Sequence, residues 1–366
     1  MHEVAGTTVA FAPGRVNLIG EHTDHQRGLC LPFALPQGTT VRCTPRTDDV
    51  VAVRSRQSGT WEGSLAAIGA GEVTGWAAYV AGVVWALGEA GLVVSGCDLE
   101  IDGDLPLGAG LSSSASLEAA VALALAPTAD RDLLVEVCQQ AETSYVGAPT
   151  GGLDQRAVLL SPTDGGLLLD FDSGTRTPVP LPLEDAGLVV VVTDTKVSHT
   201  LADGAGYGDR RAECDAAVAQ LGVASLRSAT ADDVAALLRA GREVLARRVR
   251  HQVTENARVL RVVELAVAGD WVGVGAELTA SHDSLRDDFE VTVPALDIAV
   301  AAALEAGAAG ARMTGGGFGG STIALVARER AGAVQEAVDV AFAAAGLARP
   351  AHHRVRPAGA ARLLSA

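Results

Sequence analysis

Lysine is almost missing from this chain: Lys196 is the only one in 366 residues. One common phosphate loop needs a lysine directly after its glycines, and the protein-kinase pattern needs one downstream of a Gly-rich loop. Lys196 follows no glycine loop, so both ways of gripping ATP are excluded. Positive charge is scarce altogether. Lys+Arg number 28 against 44 Asp+Glu, and a formal net charge of -16 repels a nucleic-acid backbone or an anionic membrane surface. No nucleic-acid or membrane partner is expected. An anionic ligand would depend on a local field from backbone amides, a metal ion or one placed arginine.

Paired cysteines are lacking too. Cys30, Cys43, Cys97, Cys138 and Cys214 are odd in number and show no CxxC spacing, which argues against a disulfide framework or a zinc site and predicts a reducing, cytoplasmic setting. Long apolar runs are absent: Ala119 to Ala126 is too short to span a bilayer. The start of the chain carries Glu3 and no basic flank with an apolar run, so no signal peptide is expected. Aromatics make up only 4% although hydrophobic residues reach 48%, an Ala, Val and Leu economy that suits helices packed on sheets.

At this length two domains are the natural expectation, with a boundary near 185 and the halves closely packed. Val9 to Ala12 and Val16 to Ile19 read as two short strands around Pro13-Gly14. Helical spacing predicts helices over Trp76 to Leu87, Ser113 to Leu125 and Asp132 to Tyr145, and Leu99 to Ile101 alternates like a strand. Leu188 to Val192 reads as a buried strand opening a helix-rich half, with helices over Asp209 to Leu221, Ala231 to Ala240, Glu255 to Ala268 and Pro294 to Ala306.

Pro106-Leu107-Gly108-Ala109-Gly110-Leu111-Ser112-Ser113-Ser114-Ala115-Ser116 is the strongest local signal. Its glycines let amides approach an anion, its serines offer hydroxyls, and the helix behind it presents a positive end; a serine-rich helix cap is the plainer reading. Glu21, His22 and Asp24 crowd two carboxylates and an imidazole into one turn, which suits sugar hydroxyls, a metal ion or solvent. Met313 to Gly320 holds five glycines, a pattern more often a tight turn than a ligand site. Glu142 shares a helical stripe with Leu134 and Cys138, which is unusual for a carboxylate unless it snorkels to the rim.

Together these segments resemble the signatures of the GHMP kinases. Gly14-Arg15-Val16-Asn17-Leu18-Ile19-Gly20-Glu21-His22-Thr23-Asp24 has the form that separates the galactokinase branch from the rest. The resemblance runs from about residue 11 to 327. It implies an α+β, two-domain GHMP kinase fold: a ribosomal-protein-S5-like N-terminal domain (1–185) and a ferredoxin-like C-terminal domain (186–366). The reaction implied is direct in-line transfer of the γ-phosphoryl group of ATP to the C1 hydroxyl of α-D-galactose.

By the same resemblance, Asp154 in Gly151-Gly152-Leu153-Asp154-Gln155 acts as base or orienting carboxylate, and Arg15 balances charge in the transition state. Glu21, His22, Thr23, Asp24, Gly151 and Tyr207 bind sugar, while Gly108, Ala109, Gly110, Leu111, Ser112, Ser113 and Ser114 cradle phosphate. Ser114 and Glu142 hold Mg2+. Taken alone, Asp154 also reads as a helix cap, and Tyr207 as a core residue. Trp76 and Tyr79 resemble a family aromatic near adenine, though core packing suits their helical spacing better. His352-His353 reads as a metal pair or, more simply, a solvated tail. The sequence departs from the family at His25, Gln26 and Arg27, where tyrosine and then asparagine are usual, and at Thr150, where many members have cysteine. The competing expectations are a kinase for galactosamine, N-acetylgalactosamine or arabinose, and a silent galactose sensor. The expected assembly is a monomer.

Overall fold

A computed structural model of the chain describes residues 6–105, 110–148, 150–197 and 205–365. The first half contains β1 (Thr8–Asn17), β2 (Leu29–Cys30), β3 (Pro32–Pro45), β4 (Val50–Ser55), β5 (Gly59–Ser64), α1 (Ala77–Glu89) and β6 (Cys97–Gly103). Helices α2 (Ser113–Leu125), α3 (Arg131–Gln140) and α4 (Leu153–Leu160) follow, then strands β7 (Gly165–Asp170) and β8 (Arg176–Pro180). The second half runs β9 (Leu188–Asp194), α5 (Ala205–Leu221), α6 (Ala231–Arg239), α7 (Glu243–Ala268), α8 (Trp271–Ser284) and α9 (Pro294–Glu305). It ends with β10 (Gly310–Thr314), β11 (Ser321–Ala327), α10 (Ala331–Ala344), β12 (Ala351–Val355) and β13 (Arg362–Ser365).

Among the described residues the large sheet has the order β13-β1-β3-β6-β4-β5, a second sheet the order β10-β11-β9-β12, and β2, β7 and β8 make a third. Alternate residues Ala10, Val41, Val53 and Leu99 of the large sheet meet the small-residue faces of α1 and α2 in one core. The second sheet is antiparallel throughout, and α9 and α10 pack on it through Ala299, Val300, Val338 and Phe342. A further core joins the halves: Val16, Ile19, Leu31 and Phe33 pack with Val190, Val192, Val259, Leu278 and Ile323.

The two short strands expected around Pro13-Gly14 are one strand. β1 runs through both residues, and its register against β3 slips between Pro13 and Arg15, a bulge that turns the chain without ending it. Gly14 is needed there for space: a Cβ would lie 2.6 Å from Leu105 Cδ2 and 2.7 Å from the Leu111 carbonyl. The helix expected over Asp132 to Tyr145 is α-helical only to Gln140 and widens into a π-turn over Ala141–Val146.

α7 starts at Glu243, well before the expected Glu255, because its early buried face is polar. Arg248 is 1% exposed and is held by Glu213 and Glu290 at 2.6 and 2.7 Å, so a charge interrupts the apolar stripe of its first turns. α8 was not expected at all; Gly273 and Gly275 near its start lower the local helix signal. The last strand, β13, returns to the first sheet and pairs with the outer edge of β1.

Candidate active site

The turn after β1 is held by buried hydrogen bonds from two directions. Glu21 is buried, and its Oε1 accepts from Thr314 Oγ1 at 2.9 Å and from the Gly315 amide at 2.8 Å, with Arg312 Nη2 at 3.4 Å; Oε2 accepts from Asn17 Nδ2 at 3.0 Å. His22 has a left-handed backbone (φ 58°), and its Nε2 lies 3.1 Å from the Gly316 carbonyl. A carbonyl only accepts, so Nε2 carries the proton and Nδ1 is left as an acceptor. Burial, then His25 and His251, lowers the imidazole well below its ordinary range and keeps it neutral.

α7 supports the same turn through a polar stripe. The Gly20 amide donates to Glu255 Oε1 at 3.0 Å, the Leu29 amide to Asn256 Oδ1 at 2.7 Å, and Gln252 Nε2 to the His22 carbonyl at 2.6 Å. His251 Nε2 meets the Glu21 carbonyl at 3.1 Å. Burial alone would raise Glu255, but Arg258, His251 and Arg312 outweigh it and hold the carboxylate at about 2.

A cavity of about 210 Å³ opens against this turn, walled by Glu21, His22, Asp24, Gly151, Asp154 and Tyr207, with Arg15, Glu142, Thr150, Gly315 and Gly316 around them. Gly151 is small because Asp24 is there: a Cβ would lie 2.0 Å from Asp24 Oδ2. Burial, with Asp154 and Glu21 adding negative charge, pushes Asp24 up to about 6. The Tyr207 ring packs 5.4 Å from that of His22, and burial, then Asp24, raises its hydroxyl above the ordinary range.

On the opposite wall Arg15 forms a fork with Asp154, Nε to Oδ1 at 2.7 Å and Nη2 to Oδ2 at 2.8 Å, while Nη1 donates to the Gly110 carbonyl at 2.7 Å. The β1 bulge aims Arg15 here, and its amide donates to Leu111 O at 3.2 Å. Ser112 stands at the N-terminus of α2, but its hydroxyl donates to Asp154 Oδ2 and makes no cap. The first-turn amides of α2 therefore have no side-chain cap from Ser112 and can serve an anion, aided by the helix dipole. Gly315 sits beside Gly110, so the glycine run of the second half lies against the phosphate-loop segment.

Ser114 Oγ donates to Glu142 Oε1 at 2.9 Å, and Gln155 Nε2 donates to Oε2. Burial, then Asp154, raises Glu142 above the usual carboxylate range. Two hard oxygens side by side at the cavity rim fit a small divalent cation that completes its shell with phosphate and water. Behind them Glu118 is fully buried, and burial, then Glu142, pushes it well up against a lowering contribution from Gln155.

Of the residues singled out in the sequence, Arg15, Glu21, His22, Asp24, Glu142, Gly151, Asp154 and Tyr207 meet in this cavity, with Ser112 and Ser114 bonded to its wall. Thr23 does not line it: the hydroxyl is buried and donates to the Gly20 and Leu29 carbonyls, closing the turn. Gly110 and Leu111 reach Arg15 by their carbonyls, and Ser113 begins α2 and lines a separate cavity with Leu105 and Leu117. Gly108 and Ala109 lie outside the described residues. Thr150 lines the cavity and accepts from the Gly152 amide at 3.2 Å. Trp76 packs on the core.

His352-His353 is not a solvated tail. The pair sits in β12, where His352 bonds Thr193 at 2.9 Å and Asp339 at 3.1 Å. Among the described residues no group of three or more His, Cys, Asp or Glu side chains is arranged to hold a metal. Arg312, Gln252, Glu255, Asn256 and Glu118 are given no site role by the sequence reading. Buried polar side chains inside helical runs, such as Gln252, Glu255 and Asn256, were the available signal.

Residues 2–45 match the galactokinase galactose-binding signature, 78–161 the GHMP kinases N terminal domain and 262–344 the GHMP kinases C terminal. The chain is 45% identical over 361 residues to a galactokinase of Streptomyces coelicolor, covering 96% of this chain and 93% of that one. It is 44% identical over 353 residues to a galactokinase of Mycobacterium tuberculosis, covering 95% and 97%. Its structure resembles that of Lactococcus lactis galactokinase complexed with galactose, with a TM-score of 0.91 and 34% identity over 98% of this chain and 95% of that one. A Methanococcus jannaschii mevalonate kinase shares the fold at a TM-score of 0.70 and 15% identity, covering 98% and 100%.

Proposed function

Since the chain belongs to the galactokinase family of GHMP kinases, we propose that it transfers the γ-phosphoryl group of ATP to the C1 hydroxyl of α-D-galactose, giving galactose 1-phosphate and ADP. The observation that carries this reading is the Arg15–Asp154 fork, set between an acceptor-rich pocket and the open N-terminus of α2. Glu21, His22 and Asp24 supply acceptors for sugar hydroxyls, and Tyr207 offers a ring face and one hydroxyl. The amides of α2 receive the phosphates, whose charge no lysine is placed to offset.

Asp154 takes the C1 proton or orients it, with Ser112 and Arg15 fixing both of its oxygens, so the hydroxyl is presented in line rather than tumbling. Arg15 serves in turn as the cation beside the transferring group. Glu142 and Ser114 would hold Mg2+, which when bound offsets phosphate charge. The cytoplasm is the setting we infer from five buried free thiols, and a monomer is the assembly we infer.

A coupled ADP-release assay over galactose, galactosamine, N-acetylgalactosamine and arabinose tests the substrate. Asp154→Asn should lower kcat by about 10²–10⁴-fold, the range for a lost general base, with the ATP dissociation constant unchanged. Unimpaired turnover in this variant would remove Asp154 from the mechanism.

A further inference from the structure

α4 carries a cation at its positive end. Arg156 lies in the first turns of this helix (Leu153–Leu160), where the dipole repels a guanidinium. The side chain is half-buried, and burial lowers it below its ordinary range although Asp132, Asp24 and Glu136 pull the other way. Asp132 is itself held by Arg176. An arginine kept here against both dipole and desolvation needs a partner that offsets them.

That partner is the backbone of the aspartate loop. Arg156 Nη1 donates to the Gly152 carbonyl at 3.1 Å, and the guanidinium lies over the Phe171 ring, 5.2 Å from its centroid. Gly152 has a left-handed backbone (φ 86°), and a Cβ there would overlap Arg156 Nη1 and lie 2.7 Å from Gln139 Oε1. Its amide donates to Thr150 Oγ1 at 3.2 Å, so both polar groups of this glycine are held. Gly152 stands between Gly151, which packs on Asp24, and Asp154, which forks with Arg15. Glycine is the residue least restrained by its own sterics, so a rotation here would move both neighbours unless something outside the backbone stops it.

We propose that Arg156 is a positioning residue for phosphoryl transfer: through the Gly152 carbonyl it fixes the turn that sets Gly151 against Asp24 and Asp154 against Arg15. This rests on the sugar-kinase reading above. Arg156 also lines a second cavity of about 280 Å³ with Val135, Leu160, Leu169, Phe171 and Thr175, so a small solute can reach its place.

Arg156→Met keeps a stem over Phe171 and removes the charge and the donors. Arg156→Lys restores a charge and a point donor, and Arg156→Ala leaves room for ethylguanidinium to enter from the second cavity. The methionine variant should lower kcat about 10–10²-fold, the scale of a displacement of up to 1 Å at the reacting groups, with KM for ATP within about twofold. Lysine should recover part of that loss. Ethylguanidinium chloride should raise kcat of the alanine variant about threefold or more above an equal concentration of ethylammonium chloride, which offers no planar fork. Thermal melts confirm folding, and the alanine variant without additive replaces the methionine one if that one does not fold.

An unchanged kcat in the methionine variant, a loss confined to KM, or a loss that neither lysine nor ethylguanidinium repairs overturns the role. Failure of all three variants to fold makes Arg156 a purely structural residue and overturns it too. The unaltered chain is run on the same sugars. Lack of turnover with galactose overturns the proposed substrate alone, and the variants are then compared on whichever sugar is phosphorylated; turnover of none overturns both.

Discussion

Asp24 is a cleft carboxyl whose titration is pushed toward neutrality. Burial, then Asp154 and Glu21, raises it to about 6, so it is an acceptor above that pH and a neutral acid below it. kcat/KM for the sugar should therefore fall as pH drops through about 6, approaching tenfold per unit, through a rise in KM. Asp24→Asn should be weaker throughout and lack this limb; a profile that keeps the limb in the variant would assign it to another group. The residues that touch the cavity were legible through the family motifs rather than through local pattern: taken alone, Asp154 reads as a helix cap and Tyr207 as a core residue. Thr23 was read as a sugar contact from its place in the motif, yet only the backbone path shows its hydroxyl turned inward to two carbonyls.

Among the strands and helices, β1 shows how a small interruption becomes functional. Pro13-Gly14 reads as a break, but β3 pairs with β1 both before it, up to Pro13, and after it, from Arg15 to Asn17, and so holds the strand together. The slip of register sends Arg15 toward Asp154. Gly14→Ala would set a methyl against Leu105 and the Leu111 carbonyl, displacing either the loop or the arginine. We expect kcat to fall about 10²-fold, the scale of a displacement near 1 Å, while the thermal midpoint changes little. Stopped-flow ADP release measures it, and a variant with full kcat would show that the loop accommodates a Cβ. Helices with an apolar stripe and a stop, such as α2, were read to the residue. α7 was read only in its second half, because its first half buries charge against partners far away in sequence.

The two halves are joined by more than a linker. Val16, Ile19 and Phe33 share a core with Val192, Val259 and Ile323, and β13 closes the outer edge of the first sheet. Deleting Arg362–Ala366 would leave the β1 edge unpaired and release Arg362 from its place 4.6 Å above the Phe11 ring. The thermal midpoint should drop by several degrees, about 2–4 °C for each kcal/mol lost, and calorimetry would show it; an unchanged midpoint would mean that β13 contributes nothing.

Local pattern determined the mixed helix-and-strand fold, and Lys196 as the only lysine excluded the two lysine-based ways of gripping ATP. The tertiary structure alone decided that Glu21 reaches Thr314 and Gly315 and that α7 supports the sugar turn. These are long-range hydrogen bonds between buried polar groups. No propensity or periodicity encodes such a bond, because each partner becomes favourable only once the other has been brought out of water beside it.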